Sequence, residues 1–399
     1  RSRQQRICRR MALADLFQVA RIIRLHHPVF HVRNLPALAA LVILEGAHDA
    51  GFVSHGQRIQ PCAAEIIAII HRHAEVCVRF WIVLLYVDRT GVIHDDVAAE
   101  GNLLPLIFFR MHPQLPDGQL GQAARNQVRR YGVDTSKIVR GGPRVGIYYA
   151  EKGASQRPSK VIYDRAGSSI ALAQPSDFNW DEIFEGADWF HFTGITPALG
   201  GNLPEICLEA CKAAHERGIT VSCDLNYRKK LWTREQAREC MSKLVPYVDV
   251  CISNEEDAKD VFGIEAENTD IDSGKLNHVG YISVARQLSE RFGCKYVAIT
   301  LRSSISANDN DWAGMLYTDG KAHFSKQYHM HIVDRVGGGD SFGGGLIYSL
   351  LSGYDPQKAI DFAVAASCLK HTIEHDFNLC SVAEVESLAG GNASGRVQR

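Results

Sequence analysis

Between Trp189 and Thr300, short apolar runs alternate with helix-length amphipathic stretches, and this restricts the fold more than any other feature of the 399-residue chain. Trp189-Phe-His-Phe192 reads as a strand. A helical pattern follows with apolar Leu203, Ile206, Cys207, Ala210 and Ala214, opened by a capping pair Asn202 and Glu205 and closed by Gly218. Residues 219–223, 248–252 and 295–300 repeat the strand pattern. Between them lie a helix from Thr233, a helix through Asn254-Glu-Glu-Asp-Ala258 and a longer helix through Val284 to Phe292. Strands joined through helices return parallel, so the pattern predicts an α/β, doubly wound, mostly parallel sheet with helices on both faces. In such sheets ligands lie at the carboxyl ends of the strands. Upstream, residues 144–149 and 160–164 read as a hairpin standing off the main sheet, a small β lid.

The run Ile332-Val-Asp-Arg-Val-Gly-Gly-Gly-Asp-Ser-Phe342 carries the chemistry. Ile332 and Val333 read as the end of a buried strand, and from Ser341 the apolar residues Phe342, Leu346, Ile347 and Leu350 recur at helical spacing. Gly337, Gly338 and Gly339 therefore fall on a strand-to-helix turn. Lacking Cβ atoms, they let an anion approach consecutive backbone N–H groups at the positive end of the helix dipole. Asp340 follows at once, placed to accept a proton from a hydroxyl beside a cradled phosphate. A cradle and a base together point to phosphoryl transfer to an alcohol. The same four residues also serve a plain glycine turn with a capping acid.

A second polar cluster, Asp224-Leu-Asn-Tyr-Arg-Lys-Lys-Leu-Trp232, follows an apolar strand. Arg228 at such a strand end is a candidate anion ligand, because a guanidinium binds carboxylate or phosphate in a two-bonded fork. Tyr163 and Arg165 on the hairpin, with Tyr148 one strand earlier, suit a polar sugar acid but equally suit any edge strand.

Asp334, the three glycines, Asp340, Phe342 and Gly345 together resemble the C-terminal signature of the ribokinase-like (PfkB) family of carbohydrate kinases. The middle glycine of that signature is usually alanine. From about Leu115 to Glu386 the resemblance narrows to the sugar-acid kinases of that family, which act on 2-dehydro-3-deoxygluconate; the Asp-x-Asn-x-Arg-x-x-Leu-Trp run is its most specific mark. The resemblance implies ATP and Mg2+ as cofactors, Asp340 as catalytic base and Gly337, Gly338 and Gly339 as stabilisers of the transferring group. It places Tyr148, Tyr163, Arg165, Arg228, Asp334 and Asp340 around the sugar. Asn226, Arg228, Asn254, Thr300, Arg302, Gly337 and Gly339 would face the nucleotide. Asp257 stands where the family's Asn-x-x-Glu motif has glutamate and would serve the metal indirectly. Thr300-Leu-Arg-Ser-Ser-Ile305 occupies the nucleotide loop, with Arg302 and Ile305 in place of two glycines. A kinase of neutral sugars and a non-catalytic nucleotide binder are the alternatives.

Residues 1–114 do not fit this picture. No lysine precedes Lys137, whereas sixteen arginines fall in the first 136 residues, and the sugar-binding Gly-Gly-x-x-Ala-Asn-like motif is absent from 1–114. The segment reads as translated from another frame or strand rather than as an added regulatory domain, and is expected neither to form a compact subdomain nor to supply strands to the sheet. Residues 115–389 form the kinase domain in this reading, and 390–399 a disordered tail. A net charge of -1 offers no argument for nucleic acid, and no apolar run reaches membrane-spanning length. Eleven cysteines at irregular spacing read as free thiols of a cytoplasmic protein; Cys207 and Cys211 lack a second pair for a metal. The partners expected are a small sugar acid and ATP, with a homo-oligomer through the lid hairpin.

Overall fold

The computed structural model describes residues 85–88, 108–111, 114–254, 256–265 and 278–392, all within the compact unit Cys77–Arg399. In chain order, β1 (Leu85–Asp88) and β2 (Phe108–Met111) precede β3 (Gln114–Leu115), α1 (Gln119–Arg129) and β4 (Val139–Arg140). β5 (Ile147–Glu151) and β6 (Lys160–Asp164) pair antiparallel in a sheet of their own, the expected hairpin. The alternation then begins with β7 (Ala187–Thr193), α2 (Leu203–Glu216), β8 (Thr220–Asp224), α3 (Arg234–Leu244), β9 (Val250–Asn254) and α4 (Asp257–Phe262). It continues through α5 (His278–Phe292) to β10 (Tyr296–Ser304). β11 (Asp309–Thr318), β12 (Lys321–Phe324) and β13 (Tyr328–His331) follow, and α6 (Gly338–Leu351), α7 (Pro356–Lys370) and α8 (Val382–Ala389) complete the described chain.

The main sheet runs β12-β11-β10-β9-β8-β7-β1-β2, with β13 also on β11. β7 to β10 are parallel neighbours, as the alternation requires. Antiparallel strands extend the sheet on both sides. Alternate residues of the central strands enter two cores. Val221, Cys223, Cys251, Val297 and Ile299 pack with α2, α3 and α5, whereas Val250, Ile252 and Ala298 pack with Phe342 and Leu346 of α6 and Val364 of α7. A strand buried on both faces is what a near-continuous apolar run encodes.

Local capping matches the sequence in one place and departs from it in another. Thr233 opens α3 with a complete capping box to Gln236. The box expected from Asn202 and Glu205 does not form, because the Asn202 amide instead donates to Ala173 O and, at 2.8 Å, to Gln174 Oε1. Asn254 belongs to the end of β9 rather than to a helix, and its side chain caps α4 through the N–H groups of Glu256 and Asp257.

The strand expected to end at Ile332-Val333 stops at His331 and lies antiparallel to β11, outside the parallel core. β1 pairs antiparallel with β7, Leu85 opposite His191, so the segment 1–114 does contribute two strands to the sheet. The apolar run 80–87 already has strand length, which accounts for β1. The rest of 1–113, and the tail from 393 onward, lie outside the described residues.

Candidate active site

Three parallel strands end side by side in Thr193, Asp224 and Asn254, and Thr300 of β10, in register with Asn254, lies level with them. β10 does not turn into a loop after Thr300 as the glycine-loop comparison predicts. Without glycines at 302 and 305, the backbone stays extended and pairs with β11 as far as Ser304 opposite Asn310.

The glycine turn sits at the start of α6, one turn earlier than the apolar spacing from Ser341 indicates. Gly337 is the N-cap residue in the left-handed region, φ 81°. A Cβ there would also fall 2.2 Å from Asp376 O, so the position is closed to other residues twice over. At Gly338 a Cβ would meet the His371 ring, Cε1 at 2.3 Å. His371 is buried and is oriented by its Nδ1, which donates to Ser367 O at 2.7 Å, while Ser367 Oγ donates to Gly338 O at 2.8 Å. The end of α7 thus holds the turn from below. Above Gly339 nothing lies within 4 Å of a Cβ position. Among the described residues the N–H groups of Gly339 and Asp340 make no backbone hydrogen bond, as expected of a helix's first turn. Asp340 is exposed beside them.

Asp340 is joined by charge to the neighbouring strand end. Burial, then the carboxylates of Asp257 and Asp340, push Asp224 up to about 8, against the Arg228 guanidinium and the Asn226 N–H. Asp257 is itself buried and rises to about 6 through burial, although it accepts the Tyr227 N–H at 3.1 Å and feels Arg228. Asn226 takes a left-handed conformation, φ 41°, and donates to Thr193 Oγ1 at 3.2 Å. Arg228, Asn226, Asp257 and Asp340 therefore belong to one cluster, with Asn254 tied to Asp257 through the cap.

On the hairpin, Tyr148 and Tyr163 are directly cross-strand with ring centroids 6.3 Å apart, and the Arg165 guanidinium lies 4.1 Å over the Tyr163 ring. One face thus gathers all three residues expected to meet a sugar acid. Asp334 is buried, accepting from Val336 N at 3.0 Å and from His375 N at 3.2 Å.

Lys152, just beyond β5, reaches Asp334 Oδ2 and Glu374 Oε1, each at 3.3 Å. Ser155 on the same hairpin exchanges hydrogen bonds with the β10–β11 turn, Ser155 N to Asn308 Oδ1 and Ala307 N to Ser155 O, both 2.8 Å. These contacts seat the hairpin both on the segment that carries Asp334 and on the β10–β11 turn.

Sequence reading missed Lys152, Ser367 and His371. Each acts across a long chain separation and has no local pattern. Cys207 and Cys211 are buried core residues whose thiols burial pushes up, and among the described residues no group of acid, histidine or cysteine side chains is arranged to hold a metal.

A family model described as pfkB family carbohydrate kinase matches residues 113–374. The chain is 52% identical to the 2-dehydro-3-deoxygluconokinase of Thermotoga maritima, covering 71% of this chain and 84% of that one, with a TM-score of 0.68. A PfkB family carbohydrate kinase from Listeria grayi is 32% identical, over 70% of this chain and 84% of its own, at a TM-score of 0.65. The 2-dehydro-3-deoxygalactonokinase of Haloferax volcanii is 32% identical over 281 residues, 70% of this chain and 81% of the relative. On the span of the family match, joined to a glycine turn that presents Asp340 at the head of α6, the chain belongs to the pfkB family of carbohydrate kinases.

Proposed function

We propose that this chain phosphorylates a sugar acid at the expense of ATP, with 2-dehydro-3-deoxygluconate as acceptor and its 6-phosphate as product. The observation that carries the reading is the exposed Asp340 carboxylate next to the open N–H groups of Gly339 and Asp340 at a helix N-terminus. In it, Asp340 takes the proton of the acceptor hydroxyl while Gly337, Gly338 and Gly339 hold the turn so that its N–H groups face the oxygens of the group in transit. Such reactions depend mainly on positioning and charge. Asn226, Asn254, Thr300 and Arg302 line the strand ends on the nucleotide side, Arg228 offers charge to either ligand, and Asp334 meets the sugar.

The acid end of the sugar is assigned to Arg165 and Arg228, supported by the stacking of Arg165 on Tyr163 beside Tyr148. A neutral sugar has no use for that guanidinium. Magnesium fits the donor set as an ion carried largely by the nucleotide phosphates, with Asp257 as an indirect support, since Mg2+ commonly takes one or two carboxylates plus phosphate. When bound, it would neutralise phosphate charge.

The eight described cysteines are all free, in keeping with a reducing cytoplasm, and no described helix is long and apolar enough to cross a membrane. Tyr149 and Ile162, cross-strand partners 58% and 55% exposed on the outer face of the hairpin, support pairing of two copies there. Residues 115–389 are taken as the kinase domain.

The experiment is sugar-dependent ADP release by the purified chain with 2-dehydro-3-deoxygluconate, fructose and ribose. The acid should be the best acceptor, and Arg165→Ala should raise its KM selectively. Equal rates on all three sugars would reject the acid reading. Bound ADP without sugar-dependent ATP consumption would favour a non-catalytic nucleotide binder.

A further inference from the structure

The extension of β10 beyond Thr300 has a chemical consequence at its end. Arg302 lies directly opposite Trp312 in the β10–β11 register. Side chains alternate along a strand, so Arg302 shares the face of Ala298, which packs with Phe342 of α6 and Val364 of α7. Trp312 on that face packs its ring against His371, centroids 5.6 Å apart, and His371 underlies Gly338. Arg302 is thereby carried to the side of the sheet on which α6 begins.

Arg335 arrives from the other direction. It follows Asp334, is partly buried, and one of its N–H groups donates to Ala307 O at 2.7 Å in the β10–β11 turn. The two guanidiniums feel one another: burial and the Arg302 charge hold Arg335 below its usual range, and both cations help depress His371 after burial. Among the described residues neither forms an ion pair with a carboxylate. The acid beside Arg335, Asp334, is already engaged by Lys152 and two backbone N–H groups. Two like charges brought together in this way oppose each other unless an anion joins them.

We infer that Arg302 and Arg335 form a two-guanidinium clamp for the terminal phosphates of the nucleotide, replacing the backbone donors that a glycine loop would offer after Thr300. This rests on the kinase reading above and adds Arg335 to it. A polyphosphate is the anion of choice, because it carries several charges, suits the forked donors of arginine, and can also reach the N–H groups heading α6. The single carboxylate of a sugar acid has its own guanidinium on the hairpin.

The test is calorimetric titration of the purified full chain, at one fixed salt concentration, with ADP, AMP and inorganic tripolyphosphate. Arg302→Gln should weaken ADP and tripolyphosphate at least about tenfold, the scale of one lost hydrogen bond to a charged group, and AMP less than about threefold. Arg335→Gln should show the same selectivity. Because Arg335 also supports the Ala307 turn, the exposed Arg302 decides the matter if the Arg335 variant misfolds. Affinity for ADP unchanged within about twofold in Arg302→Gln, or an equal loss on ADP and AMP, would overturn the clamp. If the wild type consumes ATP with the sugar acid while the variants bind ADP normally, only the clamp falls. If wild type binds no ADP, both clamp and kinase reading fall, and if it binds ADP and tripolyphosphate but consumes no ATP, the kinase reading falls while the variants still decide the clamp.

Discussion

The Lys152 ammonium and the Asp334 carboxylate meet at 3.3 Å, joining the lid hairpin to the strand-to-helix turn that carries the catalytic candidates. Burial opposes the Lys152 charge, but Asp334 and Glu374 outweigh it and raise the group above 10.5. Its share of stability is therefore fully present at neutral pH and disappears only above that value. Lys152 is 57% exposed, so the pair contributes about 0–1 kcal/mol to global stability. Its local effect is larger. Lys152→Gln should leave the thermal midpoint within about 3 °C of wild type yet accelerate hydrogen exchange of amides in β5 and β6. Unchanged exchange there would show that the ion pair does not hold the lid.

Asp340→Ala should lower turnover at least about 10²-fold, the low end of general-base effects, while ADP affinity changes little. Steady-state kinetics beside calorimetry separate the two quantities. Near-normal turnover in a folded preparation would remove Asp340 from the role of base.

The glycines of the turn should differ in what they tolerate. Gly337→Ala places a side chain at φ 81° and 2.2 Å from a backbone oxygen, which should cost about 2–4 kcal/mol in urea unfolding. Gly339→Ala meets nothing within 4 Å in a helical position and should leave stability unchanged or raise it by up to about 1 kcal/mol while lowering turnover. Comparable unfolding midpoints for the two variants would contradict the assigned geometry.

Stability should fall between mildly acidic and mildly alkaline pH. Asp224 has a folded value near 8 against an ordinary 3.8. Its contribution is thus fully present below 3.8 and is lost as pH rises toward 8. The thermal midpoint of the ligand-free chain should decline from pH 5 to pH 8, and Asp224→Asn should flatten the decline. An identical slope in the variant would mean that Asp224 is not the group responsible.

The parts of this site governed by local rules were readable from the chain. Strand and helix alternation located β7 to β9, the Thr233 start of α3 and the start of β10 to within about two residues, in line with the usual uncertainty of element ends. The glycine turn, Tyr163 and Arg165 could be assigned to their elements because each sits in a short pattern with its own periodicity. What escaped depends on distant partners. Whether residues 301–304 bend or stay extended is decided by β11, the missing Asn202 cap by an acceptor at Gln174, and Asn254's place by its strand pairing with Thr300. Lys152 and His371 act on Asp334 and Gly338 from chain positions whose own neighbours give no sign of it.

The imidazole of His371 and any side chain at 338 compete for one volume. The alanine usual in the family signature fits here only if that ring shifts. A methyl group at 338 would thus have to push the ring, and with it the Ser367 contact, out of the floor of the phosphate cradle.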